Sequence, residues 1–298
     1  MRFQFVDENR QKFAVLLMCK VLAVSPSGYY AWRRRPPSAR EMANRRLRAT
    51  IRHVFEGSGE TYGSPRIYQA MKKMGLLCSR NRVARLMQAE YLRARQARRF
   101  RSTTKRNGRH LVAPNLLQRD FAVERPNQKW LADITYIATL EGWLYLAAIM
   151  DLFSRRVVGW AMEEQMTTDL TLRALRMALQ QRQPAPGLVH HSDQGRQYTD
   201  GRYQALLVQV GIEPSMNSAG TWYDNAPMES FFGTLKSERV HHLAYRTRDE
   251  ARTDLFQYIE GWYNRQRLHS SLAYDSPEAF EQLHDQRPEV GLTPYPPK

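Results

Sequence analysis

Cysteine is nearly missing from this chain: Cys19 and Cys78 are its only two in 298 residues, 59 positions apart and outside any CxxC pair. That excludes a disulfide framework and a cysteine-based zinc site. Long apolar runs are missing as well. The best of them, "FAVLLMCKVLAV" from Phe13 to Val24, is too short to span a membrane and is broken by Lys20. The following "SPSGYYAW" resembles neither a signal cleavage site nor a stop-transfer segment. There is no repeat of fixed period and no low-complexity tract. These absences point to a cytoplasmic, reduced protein without a membrane partner. Acidic residues, finally, are scarce at the front. Residues 1–125 carry 28 Lys and Arg against 8 Asp and Glu, whereas 126–298 carry 17 against 21. A net charge of +16 held entirely by one half of the chain is not explained by solubility alone and points to a polyanion, with nucleic acid the natural choice. The hydrophobic content of 42% is ample for a core.

What is present divides into two textures. The basic half reads as short helices. "KFAVLLMCKVL" and "SPSGYYAWRRR" form a helix pair, the second with Ser25 at its N-cap and Pro26 at its first position. "RPPS" breaks the chain, and Ser38 then caps a long helix carrying Leu47, Ile51, Val54 and Phe55 at helical spacing. "SPRIYQAMKKM", the turn "GLLCS" and "RNRVARLMQAEYL" make a helix-turn-helix candidate. In its second helix Val83, Leu86 and Met87 face inward, leaving Arg80, Arg82 and Arg85 outward where a recognition helix carries its groove-reading residues. A small bundle with a solvated arginine face is the bland alternative, and the charge distribution favours DNA. "RARQARRFRSTTKRNGRH" reads as a basic linker able to track phosphates.

From Trp130 the pattern becomes α/β. "KWLADITYIAT", "GWLYLAAIMDLF" and "RRVVGWAME" are strand-like runs with short turns. An amphipathic helix, the short apolar run "GLVHHSD", the helix "TDGRYQALLVQVG", the loop "IEPSMNSAGTWYDNAP" and the helix "MESFFGTLKSERV" follow. Three acids stand out by position. Asp133 interrupts an otherwise buried strand, Asp193 lies at the carboxyl end of another, where α/β sheets gather ligands, and Glu229 sits on a helix after a loop. Exactly 35 residues separate Asp193 from Glu229. Each alone is unpersuasive, but carboxylates gather only around something positive. Two or three of them suit Mg²⁺, and a pair of ions ~3.5–4 Å apart can serve both the attacking and the leaving oxygen of a phosphodiester. Other residues read as supporting parts. Asp151 orders a hairpin through local backbone hydrogen bonds. Asp200 caps a helix, and Asp224 and Asn225 cap the helix of Glu229. His190 and His191 face opposite sides of a strand and serve as walls. Gly195 lets the chain turn away beneath the site. Arg196 is a phosphate contact or an ordinary exposed arginine with about equal weight. Trp222 and Tyr223 either pack against DNA or cap the core, and "WYNRQRLHSSL" reads as structural, with a possible basic contact at Arg265 and Arg267.

Six stretches carry a resemblance: "YGSPRIYQAM", "RPNQKWLADITYI", "YLAAIMDLFSRRVVGW", "HSDQGRQY", "DNAPMESFFGTLKSE" and "YNRQRLHSSLAYDSPEAF". With them the chain resembles the B-reading-frame transposases of the IS3 insertion-sequence family, which share the retroviral-integrase catalytic core. The resemblance implies an RNase H-like core, a mixed five-stranded sheet with flanking helices, preceded by small all-α helix-turn-helix segments. It implies an N-terminal helical segment at 1–60, a DNA-binding segment at 61–92, a basic linker at 93–126, the core at 127–282 and a tail at 283–298. Asp133, Asp193 and Glu229 become the catalytic and metal-binding triad, for two Mg²⁺ ions with Mn²⁺ able to substitute. Lys236, seven residues after the glutamate and close to its helical face, becomes a holder of DNA phosphate. The implied activity is metal-dependent strand cleavage and strand transfer at the ends of an insertion sequence. The implied partners are double-stranded DNA, further copies of the chain on that DNA, and an upstream A-frame protein or fusion. The alternatives are a nuclease on the same core that cuts without joining, and a non-catalytic DNA-binding repressor.

Overall fold

The computed structural model describes residues 1–95, 113–118, 120–217 and 225–286. Trp222, Tyr223 and Asp224, about half of the basic linker and the C-terminal tail from 287 on lie outside them. Among the described residues no helix is long and apolar enough to cross a membrane.

Three helices come first: α1 (Arg2–Asn9), α2 (Val15–Val21) and α3 (Pro26–Arg34). The first was not apparent in a polar stretch, and the second is shorter than its apolar run. They close on a small core of Val6, Met18, Cys19 and Tyr29, with the Tyr29 hydroxyl donating to Asp7 at 2.8 Å. Ser25 caps α3 as its position predicts, accepting from the Gly28 N–H.

Next come α4 (Ala39–Gly57), α5 (Ser64–Lys73) and α6 (Arg80–Ala89). Ser38 and Ser79 cap α4 and α6. Ile51, Val54 and Phe55 of α4 share one core with Ile67 and Met71 of α5 and Val83, Leu86 and Met87 of α6. A division at residue 60 therefore runs through a packed unit, because the apolar face of α4 packs on α5 and α6. Leu268, about two hundred residues later, completes this core, and Trp262 packs on it. Its backbone is gripped at both ends: the Leu268 N–H donates to the Tyr62 hydroxyl at 2.7 Å, and its carbonyl accepts from Arg66 at 3.1 Å.

The rest is a five-stranded mixed sheet in the order β3-β2-β1-β4-β5. Strands β1 (Lys129–Thr139), β2 (Gly142–Asp151) and β3 (Val157–Glu163) form an antiparallel meander, and β4 (Val189–Ser192) and β5 (Glu213–Met216) add in parallel on the other side of β1. The fifth strand falls inside the stretch that reads as loop. Glu213-Pro214-Ser215-Met216 has no β-branched residue, and its proline is tolerated because the strand lies at the edge. One face is covered by α7 (Thr168–Arg182) and α9 (Gly201–Gln209), packed on Trp130, Ala132 and Ile149. Here β3 and α7 approach so closely that a Cβ on Gly159 would lie 2.7 Å from that of Ala178. The other face is covered by α10 (Ala226–Glu238) and α11 (Arg248–Phe256), whose Met228, Phe231, Leu235 and Leu255 meet Leu131, Ile137 and Leu146. A short helix α8 (Arg196–Thr199) follows β4, and α12 (Pro277–Asp285) closes the described chain, its Glu281 buried against Arg156, Arg182 and Ser154.

Candidate active site

The register of the sheet decides where the acids meet. β1 and β4 run parallel, with Leu131 beside His191, so Asp133, two residues further along β1, is level with Asp193, just past the end of β4. Odd-numbered residues of β1 face α10, which carries Glu229 in its first turn. Asp133 and Asp193 are half-buried and Glu229 is exposed. Burial pushes the Asp133 carboxyl up to about 8; Asp193 adds to the rise and Glu229 contributes less, while the Ile134 N–H and Lys236 oppose it. Burial also raises Glu229. Asp133 thus feels the charge of both other acids. Among the described residues no three His, Cys, Asp or Glu side chains stand close enough together to hold an ion as they are.

Each aspartate is held by its own local device. Asp133 accepts from the Ile134 N–H at 2.7 Å, and Asp193 from the Gly195 N–H at 2.9 Å. Gly195 has an ordinary backbone, φ −60° and ψ 147°, so no left-handed turn requires glycine there. Its reason is proximity: a Cβ would lie 2.8 Å from the Asp193 Oδ1 it supports. Behind the aspartates the two histidines are buried as walls. His190 meets the Tyr203 hydroxyl at 3.0 Å, and burial lowers it to about 4, so it stays neutral. His191 spans Ser215 at 2.8 Å and Asn217 at 2.6 Å, tying β4 to the end of β5.

The remaining predicted residues have definite places. Lys236 comes back over the sheet, its Nζ 4.8 Å from the centroid of the Tyr136 ring; burial lowers its pKa and Asp133 opposes that. Arg196 is exposed at the start of α8. On α6, Arg80 and Arg85 are exposed, whereas Arg82 is turned onto Asn44 of α4 through two bonds of 3.0 and 2.8 Å. Arg267 is not at the surface: it forms a buried pair with Glu238 at 2.7 Å. Asp151 accepts from the Asn127 and Phe153 N–H groups at 2.7 and 2.9 Å, and Asp200 caps α9 through the Arg202 N–H at 2.9 Å.

One residue near the acids escaped the sequence reading, and another has a role other than the expected one. Tyr198, buried on α8, has its hydroxyl pKa raised by burial and further by Tyr203, Asp133 and Asp193, so it packs close behind both aspartates. Asn225 does not cap α10 with its side chain. Its Nδ2 donates instead to the Ala132 carbonyl at 3.2 Å, joining the helix of Glu229 to the strand of Asp133, and its Oδ1 is buried without a hydrogen-bond partner among the described residues. The "DNAP" run signals a helix start, and nothing in it signals this reach to β1.

Comparison with known proteins matches this arrangement. An integrase core domain family matches residues 123–221 and again 229–284, and an HTH-like domain family matches 42–100. The transposase InsF of insertion sequence IS3A from Escherichia coli is 40% identical over 283 residues, covering 94% of this chain and 98% of that protein. The chain belongs to this family of insertion-sequence transposases. A 31 kDa protein of insertion element IS600 from Shigella sonnei is 47% identical over 90% of this transposase and 99% of its own length. Among solved structures, a simian T-cell lymphotropic virus intasome in complex with a PP2A regulatory subunit has 15% identity and a TM-score of 0.45 over 77% of this transposase and 74% of that chain. The HTLV-2 integrase catalytic core domain in complex with magnesium has 17% identity and a TM-score of 0.41 over 53% and 97%.

Proposed function

We propose that this transposase cuts and joins DNA at the ends of an insertion sequence with Asp133, Asp193 and Glu229 as its catalytic carboxylates. The observation that carries the reading is the placement of Asp133 on β1 level with Asp193 just past β4, on the face covered by the helix of Glu229, where burial first, and then Asp193 and Glu229, hold the Asp133 proton to about 8. The half-buried Asp133 and Asp193, with the exposed Glu229 on the helix across from them, offer the all-oxygen donor set that suits Mg²⁺ or Mn²⁺, which takes hard oxygen ligands and keeps some of its water. When bound, such cations offset the charge of carboxylates and phosphates together and polarise the attacking and leaving oxygens.

The chain's own residues do the rest. Gly195 and the Ile134 N–H fix the two aspartates, and Asn225 sets the start of α10 against β1. Lys236, on the same helix as Glu229, offers a cation to a phosphate beside the acids. In the first reaction a water oxygen attacks phosphorus, the P–O3′ bond breaks and the departing oxygen takes a proton as a 3′-hydroxyl. In the second, that hydroxyl attacks another phosphodiester in line, so one bond forms as one breaks and no protein–DNA bond is needed. Arg80 and Arg85 on α6, and Arg196 beside Asp193, supply exposed charge for duplex DNA, at an affinity that falls steeply with salt. Asp133→Asn, Asp193→Asn and Glu229→Gln should each abolish joining of labelled end oligonucleotides while leaving their binding largely intact. Joining retained in any one of them would remove that residue from the set. A time course with wild type that yields only hydrolysis products would replace the transposase mechanism with that of a nuclease.

A further inference from the structure

Beyond the acids, β1 continues as a bare edge. β4 pairs with it only over Lys129–Leu131, so from Asp133 to Ala138 its outer side carries no strand among the described residues. Tyr136 on this stretch and Trp143 on the neighbouring β2 form an exposed aromatic pair. Tyr136 is 40% and Trp143 50% exposed, their rings edge to face at 4.9 Å. They are diagonal neighbours across β1 and β2, since Tyr136 opposes Tyr145 and Ala138 opposes Trp143. Each such ring brings 150–250 Å² of mostly apolar surface, which a soluble protein normally covers.

The pair is also held rigid. The turn between β1 and β2 is tied off by the Thr139 hydroxyl on the Gly142 carbonyl at 2.7 Å and by the Leu140 N–H on the Tyr245 carbonyl at 3.0 Å. Gly142 adopts φ +113°, and Arg248 clamps the turn through the Glu141 carboxylate and the Trp143 carbonyl. Tyr136 is three residues from Asp133, about 10 Å along the strand. The pleat puts the two on opposite faces, yet Lys236 bridges them over the open edge, with its ammonium on the Tyr136 ring and its charge felt by Asp133. A flat ring, a second ring at an angle and a cation able to meet phosphate form the combination that binds single-stranded nucleic acid through its bases.

We propose that Tyr136 and Trp143 form a stacking platform for one unpaired base of the DNA end, next to the phosphodiester that the acids cleave. The proposal rests on the transposase reading of the same site and adds a subsite to it. Stacking holds a base displaced from its pair and so fixes which phosphate lies over Asp133, a choice that the carboxylates cannot make because every phosphate is alike to them.

The test uses the full chain without added divalent ions and duplexes copying the terminal repeats of its element, with a photoreactive 5-iodopyrimidine base moved one position at a time. Wild type should crosslink through Tyr136 or Trp143 at one or two adjacent positions. Tyr136→Leu and Trp143→Leu, which keep apolar bulk at the surface, should lose the crosslink and bind on the order of tenfold more weakly. Tyr136→Phe should retain both. Removing the base at that position should weaken wild type to the level of the leucine variants and leave the variants unchanged. Crosslinks that never reach either ring, while the duplex stays bound, would overturn the platform; so would leucine variants that lose self-association rather than base contact. Neither result touches the carboxylate reading, which stands or falls on joining by the Asp133, Asp193 and Glu229 variants.

Discussion

Removing the Asp133 carboxylate, one of the three proposed catalytic acids, should make the metal-free protein more stable. Asp133 is held up from an ordinary 3.8 to about 8, mainly by burial and then by Asp193. At about 1.4 kcal/mol for each tenfold in proton affinity, the ceiling on the penalty of ionising it is about 5–6 kcal/mol. The carboxyl is half-buried, and residual water screens it, so we expect roughly 2–3 kcal/mol. The sign follows from linkage. Between about pH 4 and 8 the folded chain keeps a proton that the unfolded chain releases, so stability falls as pH rises through that window. Asp133→Asn has nothing to ionise there. Without divalent ions the variant should melt at nearly the wild-type temperature near pH 4 and about 5–10 °C higher at pH 8, at about 2–4 °C per kcal/mol for a domain of this size. Mg²⁺ should then raise wild type at pH 8, by about 1.4 kcal/mol at ten times its dissociation constant, and the variant much less. Calorimetry of both proteins at the two pH values, with and without Mg²⁺, measures all of this. Equal melting at pH 8, or an equal response to Mg²⁺, would refute the account of a repulsive, cation-seeking site.

Two further expectations concern the supports. Gly195→Ala should push its new Cβ into Asp193 Oδ1, 2.8 Å away, and reduce strand transfer by tenfold or more with little change in melting, as read by joining assays beside calorimetry. Arg267→Met should strand Glu238 in the interior and cost about 3–5 kcal/mol, seen in urea unfolding, while adding Glu238→Leu should restore most of it.

The parts legible in the sequence are those whose reason is local. β1 and β2 are apolar runs long enough to be strands, Ser25, Ser38 and Ser79 stand where caps belong, and an acid inside a buried strand has to be explained by what it faces. The illegible parts depend on distant partners. Glu213–Met216 is a strand only because β4 offers it an edge. Arg82 looks like a groove reader until Asn44 is seen to hold it, and Arg267 looks like a surface cation until Glu238, 29 residues earlier, claims it. Lys236 was read from its place on the helix of Glu229; its turn onto Tyr136 could come only from the packing of α10 across β1. The aromatic pair was equally hidden, because a tyrosine and a tryptophan in strands normally mean core.

The grip of Tyr62 and Arg66 on Leu268 also sets an order of events during synthesis. Helices α4 to α6 leave the ribosome long before the leucine that finishes their core, which lies 206 residues beyond Tyr62. At about 5–20 residues per second the wait is about 10–40 s. Throughout it the basic helical unit is present with part of its apolar core uncovered, and it closes only after all five strands of the sheet have been made. A messenger cut short before residue 268 therefore yields a helical unit without the leucine that finishes its core.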